Sequence, residues 1–313
     1  MRSSPILGVP AALVCVVVSA ACAVTTPPSA PPAAVVVLPP ASADPLLVAS
    51  PGPPAERASL ARLTDVDVSW LDAREHAEWS ALVGELVSPC ASVAVPLAEC
   101  VAEKRDCKAC SFAASWVARA VHRGASGGEV HSAYAARFDP AAVRQIPVAG
   151  APSEGPASAP VTIVEFVDLE CPHCKVGVEL VDALLASNPG AVRVVYKAYP
   201  IEHHAHAVDA ACAAFAADRQ GKFWEMLHAL LAHQDKLEPR DVEGYARTLR
   251  LDLARWRADM KSPAVAQRVD DDRKAGDALG IKGTPTFYVD GRELGSDESL
   301  AERVREELDF AGK

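Results

Sequence analysis

The sequence predicts an α/β domain in the C-terminal half of the chain, preceded by a smaller all-helical region that carries disulfides. Two observations favour the α/β domain. Residues 161–167 are a β-rich run followed at once by an amphipathic helical pattern, and residues 192–196 and 285–289 are further strands that flank a long helical stretch. The third observation is a helical periodicity in residues 59–140, which also contain four cysteines: Cys90, Cys100, Cys107 and Cys110.

The composition excludes two classes of protein. Half of the 313 residues are apolar and 23% are charged, so the chain can bury a sizeable core and wholesale disorder is excluded. The formal net charge is −10, with 41 acidic against 31 basic residues. A generic nucleic-acid-binding protein would be basic, so no nucleic-acid partner is expected.

Residues 1–23 are predicted to be a signal peptide. Arg2 is their only charged residue, and an almost wholly apolar run fills residues 6–24. Three outcomes are open: cleavage at the small residues 21–23, a lipobox-like cleavage that leaves a lipidated Cys22 as a membrane anchor, or an uncleaved apolar anchor. All three place the folded part in the periplasm or cell envelope, where disulfides persist.

A proline-rich linker is predicted for residues 24–58. Ten of the chain's 25 prolines fall there, among alanine, valine and serine. Such a stretch has few side chains to bury and few backbone donors, which favours an extended polyproline II conformation. It would either hold the folded part away from a membrane or act as a passive spacer.

The four cysteines of residues 59–140 are interpreted as two structural disulfides that stabilise a helical region with a small core. Their pairing is open, because four cysteines allow three connectivities. Two alternatives remain for this region. Cys107 and Cys110 have the two-residue spacing of a redox pair, and four thiolates could instead hold a zinc ion.

The motif that carries the chemistry is Cys171-Pro172-His173-Cys174, which follows a strand and begins a helix. Two thiols with this spacing can close a disulfide ring and reopen it by exchange. Pro172 suits the first helical position, because it has no N–H to lose. The helix N-terminus would stabilise a thiolate at Cys171, and a protonated His173 would add positive charge. Each effect favours the reduced form and makes the disulfide a stronger oxidant.

Residues 161–310 resemble the DsbA-like branch of the thioredoxin superfamily. The motifs that agree in order are Glu165-Phe166, the CPHC sequence at residues 171–174, Tyr199-Pro200 with His204, residues 220–224 (QGKFW) and residues 283–287 (GTPTF). The resemblance implies a thioredoxin fold with a helical insertion over residues 141–313. It also implies a protein disulfide oxidoreductase that needs no bound cofactor, because its own Cys171–Cys174 disulfide carries the redox equivalents.

The resemblance assigns roles to further residues. Pro285 matches a proline that is cis in the family and faces the redox pair, which would leave the Thr284 backbone free to pair with an extended substrate segment. Glu165 matches a buried acid that shuttles the proton of Cys174, and Lys197 matches the lysine beside that acid. A strand residue on a solvated face is the alternative interpretation of Glu165.

A second, shorter resemblance lies in the helical region. Residues 119–138 resemble the helical segment of CcmH-type cytochrome c maturation proteins. The matching residues are Gly124-Ala125-Ser126, Glu129-Val130, Tyr134 and Arg137-Phe138. This resemblance implies no role for Cys107 and Cys110.

The sequence therefore predicts an envelope thiol–disulfide oxidoreductase that acts on exported proteins with cysteines. Oxidation of substrates is the favoured direction, and a reductase or isomerase is the alternative. The redox partner would be a membrane quinone-linked thiol oxidase or a reductase. A non-catalytic envelope lipoprotein that binds client proteins is the second class of function. No metal site is expected, because His203, His204 and His206 lack the i,i+4 spacing of a helical ligand pair.

Overall fold

The computed structural model describes residue 63, residues 65–295 and residues 298–311. The predicted signal peptide, Cys22 and the linker at residues 24–58 lie outside these residues. Within the described ranges, no helix is both long and apolar enough to cross a membrane. The described residues all belong to one compact unit, Val48–Lys313.

Four α-helices form the region that precedes the sheet, as far as the structure describes it. They are α1 (Ala73–Glu85), α2 (Leu97–Ala102), α3 (Ala109–His122) and α4 (Gly127–Phe138). A capping box of Asp72 and Glu75 begins α1, so side chains satisfy N–H groups that the helix itself leaves unpaired. The apolar faces of the helices enclose Trp79, whose indole N–H donates to the Ala114 carbonyl at 2.9 Å.

Two disulfides cross-link this region, and the structure gives the pairing that the sequence leaves open. Cys90 is bonded to Cys107, and Cys100 is bonded to Cys110. Cys90 lies on the loop after α1 and Cys100 lies on α2, whereas their partners lie at the start of α3. The bonds therefore fasten both the loop and α2 to α3. The predicted all-helical, disulfide-bearing region is confirmed.

A five-stranded mixed sheet forms the centre of the second region, with the strand order β1-β3-β2-β4-β5. β2 is parallel to β3 and antiparallel to β4. The strands are β1 (Ser153–Glu154), β2 (Val161–Val167), β3 (Val192–Ala198), β4 (Thr286–Val289) and β5 (Arg292–Glu293).

Helices cover both faces of this sheet. α5 (Pro172–Ser187) connects β2 to β3, and α11 (Leu300–Phe310) follows β5. Ile163 of β2 packs in a cluster with residues of both helices. Phe166 lies on the other face of β2 and packs in a cluster with Ile281, against which Leu279 at the end of the helix Pro263–Leu279 also packs. β2 is buried along its whole length except at the partly buried Thr162, as expected for a strand that is covered on both faces.

A helical insertion separates β3 from β4. Its helices are α6 (Ala207–Asp218), α7 (Phe223–Ala232), α8 (Pro239–Thr248), α9 (Leu253–Met260) and α10 (Pro263–Leu279). Buried residues of α6 and α7 share one core cluster with Cys171, Cys174 and Val178 at the start of α5. The insertion therefore covers the cysteine end of α5. The predicted α/β domain with a helical insertion is confirmed.

The helical region is fastened to α11 by a buried ionic network. The guanidinium of Arg137 pairs with Glu306 and lies 3.1 Å from Glu307, and its side chain is 3% exposed. Arg119 adds a second contact to Glu306 at 2.9 Å. The Arg137 guanidinium also lies over the ring of Phe112, 5.2 Å from its centroid. Opposite charges and an aromatic face thus compensate the desolvation of this arginine.

Replacement of Arg137 by Ala should destabilise the protein strongly, because it leaves buried carboxylates without a full set of counter-charges. We expect a loss of about 3–5 kcal/mol in the free energy of unfolding. The matched control is Arg123→Ala, which removes an ion pair with Glu302. The Arg123 side chain is 49% exposed and the Glu302 side chain is 36% exposed. That change should cost less than about 1 kcal/mol. Urea unfolding measures both, and equal losses in the two variants would contradict the role of the buried network.

Candidate active site

The cysteine pair lies at the start of α5, shortly after the end of β2. Cys171 is the N-cap residue of α5 with an extended backbone, and Pro172 takes the first helical position. The Cys174 N–H donates to the Cys171 carbonyl at 3.1 Å, and this turn brings the two side chains to the same end of the helix. Cys171 is 5% exposed and Cys174 is fully buried, whereas Pro172 and His173 between them are exposed.

The loop before β4 faces this pair. The Cys171 thiol donates to the Thr284 carbonyl at 3.3 Å, and the Thr284–Pro285 peptide bond is cis. Gly177 of α5 permits the contact, since a Cβ placed there would lie only 3.1 Å from Pro285 Cγ and 3.0 Å from Phe287 Cζ. The structure therefore brings together the cysteine pair, Thr284 and Pro285, all of which the sequence singles out.

The two thiols differ in their surroundings. Burial raises the pKa of the Cys174 thiol far above its usual range, and the Asp168 N–H, 3.4 Å from the sulfur, opposes this shift only in part. Cys174 is thus held as a neutral thiol in the reduced protein. Any step that uses Cys174 as a thiolate must therefore be accompanied by a proton transfer to or from the sulfur.

Glu165 lies fully buried in β2. Burial and, to a smaller extent, the charge of Asp182 raise the pKa of its carboxyl to about 8, so the group is protonated at neutral pH. Neither carboxyl oxygen has a hydrogen-bond partner among the described residues. Side chains alternate along β2, so Glu165 faces the same side as Val167, which packs in one cluster with Cys174. The position excludes the solvated-face alternative and places a proton donor on the side of the sheet that holds Cys174.

Lys197 does not accompany Glu165, which corrects the expectation from the resemblance. In the β2–β3 register the partner of Glu165 is Tyr196, whereas Lys197 is opposite Phe166. Lys197 therefore points to the other face of the sheet, where its ammonium pairs with buried Asp272 of α10 and donates to the Pro147 carbonyl at 3.0 Å. Its role is to hold α10 against the sheet, not to tune the acid.

Asp168 is a site residue that the sequence analysis did not identify. Its side chain is completely buried, three residues before Cys171, and accepts from the Ile201 N–H at 2.7 Å and from Nδ1 of His204 at 2.8 Å. Glu170 adds a further bond between the same two loops, because its carboxylate accepts from the backbone N–H of His206 at 2.7 Å. These bonds fix the loop after β3 to the loop that carries the cysteines.

Gln234 is the second residue that sequence reasoning missed. It follows α7 in the insertion, and its amide nitrogen donates to the carbonyls of Leu169 and Cys171 at 3.1 and 2.8 Å. The insertion thereby holds the backbone of residues 169–171 in place. The only sequence signal for Gln234 is a polar residue after an apolar helix. Many ordinary surface residues have the same pattern, so it does not identify Gln234 as part of the site.

Comparison with known proteins agrees with this architecture. A family model described as "Thioredoxin" matches residues 149–309, just over half of the chain. The chain therefore belongs to the thioredoxin family. Together with the observed insertion between β3 and β4, this match confirms the predicted DsbA-like architecture.

Solved structures match the same extent of chain. A thioredoxin-like oxidoreductase from Silicibacter pomeroyi is 31% identical, with a TM-score of 0.47, and the match covers 52% of this chain and 92% of that one. BdbD from Bacillus subtilis is 23% identical, with a TM-score of 0.48 and coverages of 53% and 97%. The thiol-disulfide exchange protein α-DsbA2 from Wolbachia pipientis is 21% identical, with a TM-score of 0.46 and coverages of 58% and 93%.

Curated relatives match over a shorter stretch. The Na⁺/H⁺ antiporter NhaA 3 of Salinispora tropica is 46% identical over 139 residues, which are 44% of this chain and 21% of the antiporter. The antiporter NhaA of Herminiimonas arsenicoxydans is 42% identical over 140 residues, or 45% of this chain and 22% of that protein. The chain thus spans about a fifth of the length of these relatives.

The raised pKa of Glu165 predicts how stability depends on pH. The folded protein keeps this proton up to about pH 8, whereas the unfolded chain loses it near pH 4.5, so this group destabilises the fold progressively as pH rises between those values. Glu165→Gln removes the dependence. Relative to the wild type, the variant should gain several kcal/mol in unfolding free energy between pH 5 and pH 9, at about 1.4 kcal/mol per pKa unit.

Urea unfolding of the oxidised protein measures this difference, since Cys174 cannot titrate while it is in a disulfide. Glu154→Gln is the matched control, because Glu154 is an exposed strand residue of β1. The control should show the same pH dependence as the wild type. A Glu165→Gln curve that runs parallel to the wild type would contradict a buried, protonated carboxyl at this position.

Proposed function

We propose that the protein is a thiol–disulfide oxidoreductase that exchanges disulfides with cysteine-bearing exported proteins through Cys171 and Cys174. One observation carries the proposal: Cys171 caps the N-terminus of α5 beside the Thr284 carbonyl, while its partner Cys174 is fully buried behind it. An accessible nucleophile and a sheltered resolving thiol are the two parts that such an exchange needs.

The exchange begins with a substrate thiolate that attacks Cys171 Sγ and breaks the Cys171–Cys174 disulfide. Cys174 leaves as a thiolate, and the protonated carboxyl of Glu165 supplies its proton. A second substrate thiolate then attacks the substrate sulfur of the mixed disulfide, and Cys171 leaves. The substrate loses two electrons and two protons. Both electrons pass to the two sulfurs of the protein, one released proton restores the Glu165 carboxyl, and the other protonates Cys171 or passes to solvent. The disulfide of the protein itself is the oxidant, so the cycle needs no bound cofactor.

Three features support a site that accepts a protein substrate. Thr284 and Pro285 are half-exposed beside Cys171, so an extended segment can approach the sulfur along the loop before β4. Cys171 retains some exposure, whereas Cys174 has none. Gln234 and Asp168 hold the nucleophile loop rigidly, which keeps the sulfur aligned for attack.

Oxidation of substrates is the direction that the site favours. The unpaired N–H groups at the start of α5 and the helix dipole stabilise negative charge on Cys171, and exposed His173 adds positive charge when protonated. These effects favour the reduced protein and so make its disulfide a good oxidant. Reduction or isomerisation of substrate disulfides uses the same chemistry and is the alternative.

A periplasmic or envelope location is part of the proposal. Two disulfides in the helical region suit an oxidising compartment, and the apolar run in residues 6–24 suits export. Lipidation at Cys22 would tether the protein to a membrane. A membrane quinone-linked thiol oxidase, or a reductase if electrons flow the other way, would then reset the cysteine pair.

Trapping of substrates tests the assigned roles. In Cys174→Ala the nucleophile keeps its environment but nothing resolves the mixed disulfide, so client proteins should accumulate as covalent adducts that reductant removes. In Cys171→Ala the remaining thiol is buried and protonated, so adducts should be few. Non-reducing electrophoresis followed by reduction measures both.

Cys212→Ala serves as the matched control, since Cys212 is a buried thiol of α6 and its loss should leave trapping unchanged. A non-catalytic binding protein would capture clients equally in both active-site variants, without sensitivity to reductant. Equal trapping by the two variants, or none by either, would contradict the assignment of Cys171 as the nucleophile.

A further inference from the structure

The two disulfides of the helical region lie against each other. The sulfur atoms of Cys100, Cys107 and Cys110 are all within 4.8 Å of one another, although Cys107 is bonded to Cys90 and the other two are bonded to each other. Exchange between disulfides requires a third sulfur at close range to attack or to be attacked. In this cluster Cys107 is that third sulfur for the Cys100–Cys110 bond.

The local backbone at Cys107 repeats the arrangement found at the active site. Two residues separate Cys107 from Cys110, and a helix begins between them, at Ala109. The Cys110 N–H donates to the Cys107 carbonyl at 3.1 Å, the same bond at the same distance as between Cys174 and Cys171. The turn that lets Cys171 and Cys174 form a disulfide is therefore also present here.

Among the four cysteines, access from outside is greatest at Cys90. Cys90 is half-buried and is followed by two exposed residues, Ala91 and Ser92. Cys107 is 7% exposed, and Cys100 and Cys110 are at most 2% exposed. An incoming thiolate therefore meets the Cys90–Cys107 bond at Cys90, and Cys107 is the leaving sulfur.

We propose that the helical region is a second thiol–disulfide exchange centre, in which Cys90 receives an external thiol and Cys107 passes the disulfide to Cys110. The external thiolate attacks Cys90 Sγ, and the Cys90–Cys107 bond breaks. Cys107 leaves as a thiolate, attacks Cys110 Sγ and displaces Cys100. A second external thiol then releases Cys90 and leaves as a disulfide with the first.

The external dithiol thus loses two electrons and two protons. The region gains them as thiols at Cys90 and Cys100, and it keeps one disulfide, Cys107–Cys110. The reactant is a protein dithiol or a pair of small thiols. This centre requires neither Cys171 nor Cys174, so it goes beyond the function proposed above.

Replacement of Cys90 by Ser tests the movement of the disulfide directly. The variant has three clustered cysteines and one disulfide, so its free thiol should distribute between Cys107 and Cys100 within about tenfold of one another, a ratio that corresponds to ~1.4 kcal/mol. Acid quench, alkylation and peptide mapping by mass spectrometry locate the label, and cleavage after Lys108 separates Cys107 from Cys110. Label on Cys107 and not on Cys100 would overturn the proposal.

Cys107→Ser is the matched control. It leaves Cys90 as the free thiol, and Cys90 is not among the three sulfurs within 4.8 Å of one another, so the Cys100–Cys110 disulfide should persist with label on Cys90 alone. Exchange of label in this control as well would show general scrambling and would also overturn the proposal.

Partial reduction of the full-length protein provides a test that needs no change in the helical region. In the Cys171→Ser/Cys174→Ser background, dithiothreitol should yield a two-electron-reduced form with alkylated Cys90 and Cys100 and an intact Cys107–Cys110 disulfide. Retention of Cys100–Cys110 with alkylated Cys90 and Cys107 would overturn the proposal. Resistance of both disulfides until the protein unfolds would do the same.

Discussion

The burial of Cys174 under the first turn of α5 is the constraint on which the rest of the site depends. A thiol without solvent contact stays protonated, because desolvation raises its pKa, and so it reacts only when a proton can reach or leave it. Glu165 lies on the same side of the sheet, and its own burial keeps it protonated near neutral pH, as the proposed proton transfer requires. Glu165 and Cys174 are thus both fully buried on one side of the sheet.

The position of Cys171 follows from how the surrounding loops are fastened. Asp168 accepts from the Glu170 N–H, and Gln234 donates to the carbonyls of Leu169 and Cys171, so the backbone that leads into the turn is held in place. Gly177 lets α5 approach Pro285 closely enough for Thr284 to contact the Cys171 sulfur. Buried hydrogen bonds and the lack of a side chain at Gly177 shape the site.

The positions of Cys171, Cys174 and Glu165 in the fold could be predicted from the sequence because their signals are local. A cysteine pair between a β-rich run and a helical pattern is expected at the start of the helix. An acid within an otherwise apolar strand is expected in the sheet, at a known position along that strand. Lys197 could not be placed in this way. It lies one residue past the partner of Glu165, and a shift of one residue on a strand reverses the face. Its true partner, Asp272, is contributed by α10 from far along the chain.

Two further features could not be predicted from the sequence. They are the pairing of the four disulfide cysteines and the contacts of Asp168 with the loop after β3. Cys90, Cys100, Cys107 and Cys110 are close enough in the chain for every pairing, so only the packing of α2 and the loop after α1 against α3 selects one. α3 and the following helix α4 are also held to α11, where Arg119 and Arg137 pair with Glu306. Long-range contacts of this kind have no local pattern that a single sequence reveals.

Equilibration in glutathione buffers is the most direct test of the central claim that Cys171 and Cys174 form an oxidising redox pair. After acid quench, alkylation and mass spectrometry, the peptide with both cysteines should show a single two-electron transition. We predict a midpoint well above the approximately −270 mV of thioredoxin. A midpoint at or below thioredoxin's would contradict the oxidising role, and the lack of any Cys171–Cys174 disulfide at every glutathione ratio would contradict the redox pair itself.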